Sequence, residues 1–92
     1  MSAESFTLLY DRECPFCRME VEWLLRRNAK GLLRAVDIAA PGFDPGQFGL
    51  SRERVHARLH GVTAEGTVIE GMAAVRAAWR AVGMGQIGRA HV

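Results

Sequence analysis

An apolar run that leads directly into two closely spaced cysteines limits how this chain can fold. Phe6–Tyr10 is short and rich in strand-forming residues, which predicts a buried strand, and 11–13 then form a turn. Pro15 suits the first turn of a helix, and helix-forming residues follow it. Cys14 and Cys17 therefore lie on the first turn of a helix, where a Cys-x-x-Cys pair can close a small disulfide ring. The pattern indicates thiol–disulfide chemistry.

The rest of the chain alternates between strand and helix patterns. A helix over 16–29 followed by a strand over 32–38 predicts a βαβ unit with a parallel pair. Pro and Gly residues predict an irregular loop over 39–50 with at most one short turn of helix. The remaining predicted elements are a strand with one solvated face at Arg54–Gly61, its hairpin partner at Thr67–Glu70, and a helix at Met72–Val82. The order β-α-β-β-β-α predicts an α/β protein with a small thioredoxin-like fold, in which helices flank a mixed sheet.

Length and composition indicate one ordinary globular domain. The chain has 92 residues and a formal net charge of +2, with acidic and basic residues interleaved, so we expect no nucleic-acid partner. No signal peptide is visible, and no apolar run approaches the roughly 20 residues that span a membrane. We therefore expect a cytoplasmic protein without a membrane partner. Cysteine pairs in that compartment are more often catalytic or metal-binding than structural.

The end of the chain has a different character. Residues 86–92 show no apolar periodicity, and the codons ATC GGA AGA GCA CAC GTC would encode Ile87 to Val92, which resembles a sequencing adapter. We expect a single domain over 1–85, a non-native or disordered tail over 86–92, and a natural C-terminus that is missing.

The cysteine pair allows a division of labour between the two sulfurs. Unpaired N–H groups and partial positive charge at a helix N-terminus favour a thiolate, which predicts Cys14 as the nucleophile. Cys17, one turn further, is predicted to resolve the mixed disulfide. We expect the substrate to be a disulfide-containing protein or a small thiol, and a cellular thiol reductant system to supply electrons. No bound cofactor is needed, because the two thiols carry the redox equivalents.

Three neighbouring residues are further candidates for the site. Pro15 limits the flexibility of the motif, and Phe16 offers an apolar surface to a substrate or, equally, packs into the core. Asp11 is either an acid that moves protons to or from Cys17 or a turn and capping residue, and spacing alone favours the second.

The motif resembles that of the DCC family of thiol–disulfide oxidoreductase-like proteins, which is named for Asp-x-x-Cys-x-x-Cys. Here the motif consists of Asp11, Cys14 and Cys17, and the resemblance extends over about 6–83. It implies a thioredoxin-like fold, redox activity at the two cysteines, and a role for Asp11 near the site.

Two other functions compete with this one. The cysteines with His56 and His60 superficially form a zinc set, but in a strand these histidines would lie about 13 Å apart at roughly 3.3 Å per residue. They are then better explained as residues of the solvated strand face. The other alternative is a redox-sensing or interaction module that oxidises without turnover.

Overall fold

The structure is a computed structural model that describes residues 5–83. The described part of the chain begins with a five-residue strand and a helix whose N-cap is a cysteine, as the sequence predicts. The second half contains a short helix that the sequence did not predict. The elements in chain order are β1 (Phe6–Tyr10), α1 (Pro15–Arg26), β2 (Leu33–Asp37), a 3₁₀ helix (Pro45–Phe48), α2 (Arg52–Ala57), β3 (His60–Thr63), β4 (Val68–Glu70) and α3 (Met72–Ala81).

The four strands form one mixed sheet in the order β2-β1-β3-β4. β1 pairs with β2 in parallel, so the expected βαβ unit is confirmed. β1 pairs with β3 antiparallel, and β3 pairs with β4 as the expected hairpin. The architecture is a small α/β fold compatible with the predicted thioredoxin-like fold.

Side chains alternate across β1 and supply both faces of the sheet. Phe6, Leu8 and Tyr10 lie on the face that packs against α1 and α3. The helices contribute their own buried residues to this first core cluster, namely Val21, Leu24, Ala74, Ala78 and Ala81. Because α1 packs on this face, its N-terminal turn is held at the carboxyl end of β1.

The opposite face of the sheet carries a second core cluster. Leu9 packs there with Ile38, Phe43, Leu50 and Val55, which come from the connection between β2 and β3. The 3₁₀ helix and α2 thus form the third layer of the molecule, over the face that does not carry the cysteines.

The predicted strand at Arg54–Gly61 is wrong. The chain forms α2 over Arg52–Ala57 instead, and β3 begins only at His60. The Ser51 hydroxyl accepts a hydrogen bond from the Arg54 N–H at 3.1 Å and so caps the helix. In this short helix only Val55 is buried, but Val55, Ala57 and Leu59 alternate with polar residues in the sequence and so imitate a strand.

The two histidines accordingly have environments that the strand prediction does not describe. His56 is exposed on α2, whereas His60 is 1% exposed. Its Nδ1 lies 2.9 Å from the Arg58 carbonyl oxygen and its Nε2 lies 3.1 Å from a carboxylate oxygen of Glu70. His60 is therefore a buried, hydrogen-bonded residue, and its assignment to a solvated face is wrong.

Two other expectations concern a membrane span and the boundary between the domain and its tail. None of the helices within 5–83 combines the length and the apolar composition that a membrane span requires. The predicted tail at 86–92 lies outside the described residues, as does the end of the predicted domain over 1–85.

Candidate functional site

The cysteine pair occupies the N-terminal turn of α1. Cys14 is the N-cap residue, with extended backbone dihedrals, and Pro15 takes the first helical position. The Cys17 N–H donates a hydrogen bond to Cys14 Sγ at 3.5 Å, so this sulfur takes the role that a Ser or Asp oxygen usually has at an N-cap. Both cysteines are free thiols and half-buried. The helix thus brings the two residues together as the sequence predicts.

Hydrogen bonding lowers the pKa of Cys14 below its ordinary value. The main cause is the backbone N–H of Cys17, followed by the Cys17 side chain, and the Phe16 N–H adds to the effect. Burial and the nearby Asp11 carboxylate act in the opposite direction but do not outweigh these donors. Cys14 is therefore the sulfur that ionises first.

Burial has the opposite effect on the second sulfur. It is the largest cause that raises the pKa of Cys17, to about 11, and the hydrogen bond and charge of Cys14 are the next causes. Asp11 and Glu20 raise it further by their negative charge. Two thiols three residues apart thus differ in acidity because one caps the helix and the other faces its packed side.

This difference predicts selective alkylation by iodoacetamide. Only the thiolate reacts, so at pH 7 a thiol with a pKa of about 11 is reactive in about 10⁻⁴ of molecules. A thiolate of lower pKa is also less nucleophilic, so we expect Cys14 to be labelled at least about tenfold faster than Cys17. As the pH rises, the rate at Cys14 should level off first, while the rate at Cys17 should keep rising about tenfold per unit towards pH 11. Mass spectrometry of peptides from pH-jump samples measures both rates. Equal rates at pH 7 would contradict the assignment.

Asp11 shapes the turn that leads into the cysteines. Its carboxylate accepts a hydrogen bond from the Glu13 N–H at 2.9 Å, and its carbonyl oxygen accepts one from the Cys14 N–H at 3.1 Å. No hydrogen bond joins this carboxylate to either sulfur in the described part of the chain. The turn role that spacing favoured is present, and Asp11 also acts on both sulfurs through its charge.

Asp37 is a residue of the site region to which sequence reasoning assigned no role. One of its carboxylate oxygens accepts hydrogen bonds from the Arg12 N–H at 3.1 Å and the Ala39 N–H at 2.9 Å. It thereby ties the turn before Cys14 to the end of β2. The available signal was its position: parallel strands end at the same sheet edge, so an acid at the end of β2 lies beside the turn that follows β1.

Phe16 and Pro15 lie at the surface beside the sulfurs. Phe16 is 79% exposed, so it does not pack into the core, and Pro15 is also exposed. Next to Phe16 an apolar cleft of about 200 Å³ opens between α1 and α3, and Cys17 forms part of its wall. Sequence patterns do not reveal this cleft, because residues from β1, α1, α3 and the segment before β3 meet in it.

The described residues provide no set of ligands for a zinc ion. Among residues 5–83 no group of three or more His, Cys, Asp or Glu side chains is arranged to hold a metal ion. His60 belongs instead to a pair with Glu70, whose carboxylate also lies 3.4 Å from Arg54.

Comparison with known proteins points to one family. The family model described as "DCC1-like thiol-disulfide oxidoreductase" matches residues 8–91. An uncharacterized chloroplastic protein of Arabidopsis thaliana is 35% identical over 82 residues, which cover 87% of this chain. The matched segment is 38% of that relative, so the chain spans about two-fifths of its length. No solved structure gives a significant match.

Proposed function

The chain belongs to the DCC1-like thiol-disulfide oxidoreductase family, and on this basis we propose that it exchanges electrons with disulfides through Cys14 and Cys17. The family and the Cys-x-x-Cys spacing support a redox function. The observation that carries the specific proposal is the hydrogen bond from the Cys17 N–H to Cys14 Sγ, which favours a thiolate at one sulfur and leaves the other protonated beside it.

In the proposed reaction the Cys14 thiolate attacks one sulfur of a substrate disulfide. A mixed disulfide forms, and the other substrate sulfur leaves as a thiolate. Cys17 then attacks Cys14 Sγ, and the second substrate sulfur leaves as a thiolate. The proton of Cys17 and a solvent proton, equivalent to the one released when Cys14 ionised, go to the two substrate thiolates. The substrate gains two electrons and two protons, while the protein is left with a Cys14–Cys17 disulfide. A thiol reductant of the cell, expected in the cytosol, restores the dithiol.

The neighbouring residues have supporting roles in this proposal. Asp11 holds the turn before Cys14, and its carboxylate lies near enough to act by charge on Cys17, the sulfur that must lose a proton in the second step. Pro15 limits the conformations of the motif, and the exposed Phe16 offers an apolar contact to the substrate.

A redox titration tests the proposal. The purified protein is equilibrated in glutathione buffers, quenched by alkylation, and its free thiols are counted by mass spectrometry. We expect one reversible two-electron transition between about −270 and −120 mV, the range of known thiol oxidoreductases. The control is the Cys17→Ser variant, which cannot close the ring and should show no such transition.

Turnover separates an enzyme from a sensor. With dithiothreitol as reductant and 2-hydroxyethyl disulfide as substrate, an enzyme reduces many equivalents of disulfide, whereas a sensing module reacts once. A protein that lacks the intramolecular transition, or that titrates but does not turn over, would contradict the proposed function.

A further inference from the structure

We propose that the cleft beside Cys17 binds an apolar side chain of a disulfide-containing peptide or protein, and that Glu20 at its rim selects substrates with a neighbouring positive charge. This inference rests on the proposed function and names the substrate class of the same site. The lining includes Phe16, Val21, Leu59 and Val75, so the walls of the cleft are almost entirely apolar.

The size of the cleft suits a single side chain. Engineered cavities of about 150 Å³ with similar walls bind benzene, so about 200 Å³ accommodates a Leu or Phe side chain. Pockets for drug-sized ligands are usually larger, at about 300 to 1,000 Å³. Phe16, 79% exposed, extends the apolar surface outward.

Charge distinguishes a cationic peptide from the common small thiols. Glu20 is the single charged residue that lines the cleft, and it forms no ion pair with another residue of 5–83. Glu20 and Phe16 are four residues apart and share one face of α1. Its charge also reaches Cys17, whose pKa it helps to raise. Glutathione, with two carboxylates and one ammonium group, would find a carboxylate here and no lining cation.

The cleft is within reach of a substrate bonded to Cys14. Cys14 and Cys17 are three residues apart, which corresponds to about 4.5 Å along the axis of a helix. Consecutive Cα atoms are about 3.8 Å apart, so a residue one or two positions from the substrate cysteine can place its side chain in the cleft. The apolar contact would form while the sulfurs react.

The test uses four cyclic disulfide peptides of equal length. The two positions after the first cysteine are both Leu or both Ser, and the next position is Lys or Glu. The reduced protein is mixed with each peptide, with oxidised glutathione, and with 2-hydroxyethyl disulfide, a small neutral reference. Second-order rate constants are measured by rapid alkylation quench.

We expect the Leu peptides to react about tenfold faster than the Ser peptides, because burial of one Leu side chain is worth about a factor of ten or more. Lys should exceed Glu by about threefold, the scale of an exposed ion pair. Glu20→Lys should reverse the Lys preference, while the matched Glu22→Lys change, on the same helix but outside the cleft, should not. Val75→Phe should fill the cleft and reduce the Leu advantage.

The reference substrate separates the two proposals. If 2-hydroxyethyl disulfide is reduced but Leu and Ser peptides react equally, the cleft inference is wrong and the redox function stands. The same holds if oxidised glutathione reacts faster than the Leu–Lys peptide, or if both charge reversals act alike. If the reference is not reduced either, the proposed function itself fails.

Discussion

Replacing Cys17 by Ser should convert the protein into a trap for its substrates. The Cys14 thiolate still attacks a disulfide, because the helix N-terminus and the residue-17 N–H still favour the anion. The mixed disulfide then persists, since the thiol that releases it is gone. Non-reducing electrophoresis should show a covalent adduct with a model disulfide protein that disappears on addition of dithiothreitol. In a single turnover without added thiol, we expect release of the second substrate sulfur to fall by at least about a hundredfold.

The matched control is Cys14→Ser, which should neither turn over nor trap. Its remaining thiol is that of Cys17, whose pKa is still raised by burial, so few molecules carry a thiolate at pH 7. Adducts at Cys17 in this variant, or full release of the substrate by Cys17→Ser without added thiol, would show that the roles are assigned to the wrong sulfurs.

Among the Gly→Ala changes within residues 5–83, Gly61→Ala should cause the largest loss of stability. Gly61 is buried in β3 opposite Leu8, and a Cβ there would collide with Cζ of the Phe6 ring and lie 2.7 Å from Cε2. Phe6 is itself 4% exposed in the core, so the ring cannot move aside freely. We expect a loss of about 2 kcal/mol, typical of an overpacked core, and a fall in Tm of about 10 °C in thermal unfolding.

Two controls identify the collision as the cause. Gly42→Ala places its Cβ in open space and should change Tm little. Phe6→Leu combined with Gly61→Ala should recover part of the loss relative to the sum of the single changes, because the two side chains compete for one volume. Equal effects of Gly61→Ala and Gly42→Ala would contradict the packing argument.

Predictions from sequence succeeded for the elements whose signals are local. The strand at Phe6–Tyr10, the proline at the first helical position and the cysteine spacing together locate the N-terminus of α1. The strand over 33–37 and the second strand of the hairpin, β4, likewise follow from apolar runs bounded by turn residues. These features depend on neighbours within a few positions, so the chain displays them directly.

The errors arose where a residue's surroundings come from distant parts of the chain. Val55 is one buried residue of a short helix, and its flanking polar residues imitate a strand until Ser51 is recognised as the cap. His60 alternates with apolar residues like a solvated side chain, yet β1 and Glu70 enclose it. The periodicity of a sequence shows which residues are polar. It does not show which polar residues are buried with a hydrogen-bond partner.

Residue types at short, fixed spacings are enough to establish the family, the βαβ unit and the pair of cysteines. How the two thiols differ, and what surrounds them, follows from the packing of the folded chain. The packing of α1 against β1 and α3 buries Cys17 more deeply and raises its pKa, and the same packing leaves an apolar cleft beside it. Asp37 reaches the turn before Cys14 because β1 and β2 run parallel and end together. Acidity, burial and shape depend on atoms brought together from distant positions, and that proximity exists only in the folded chain.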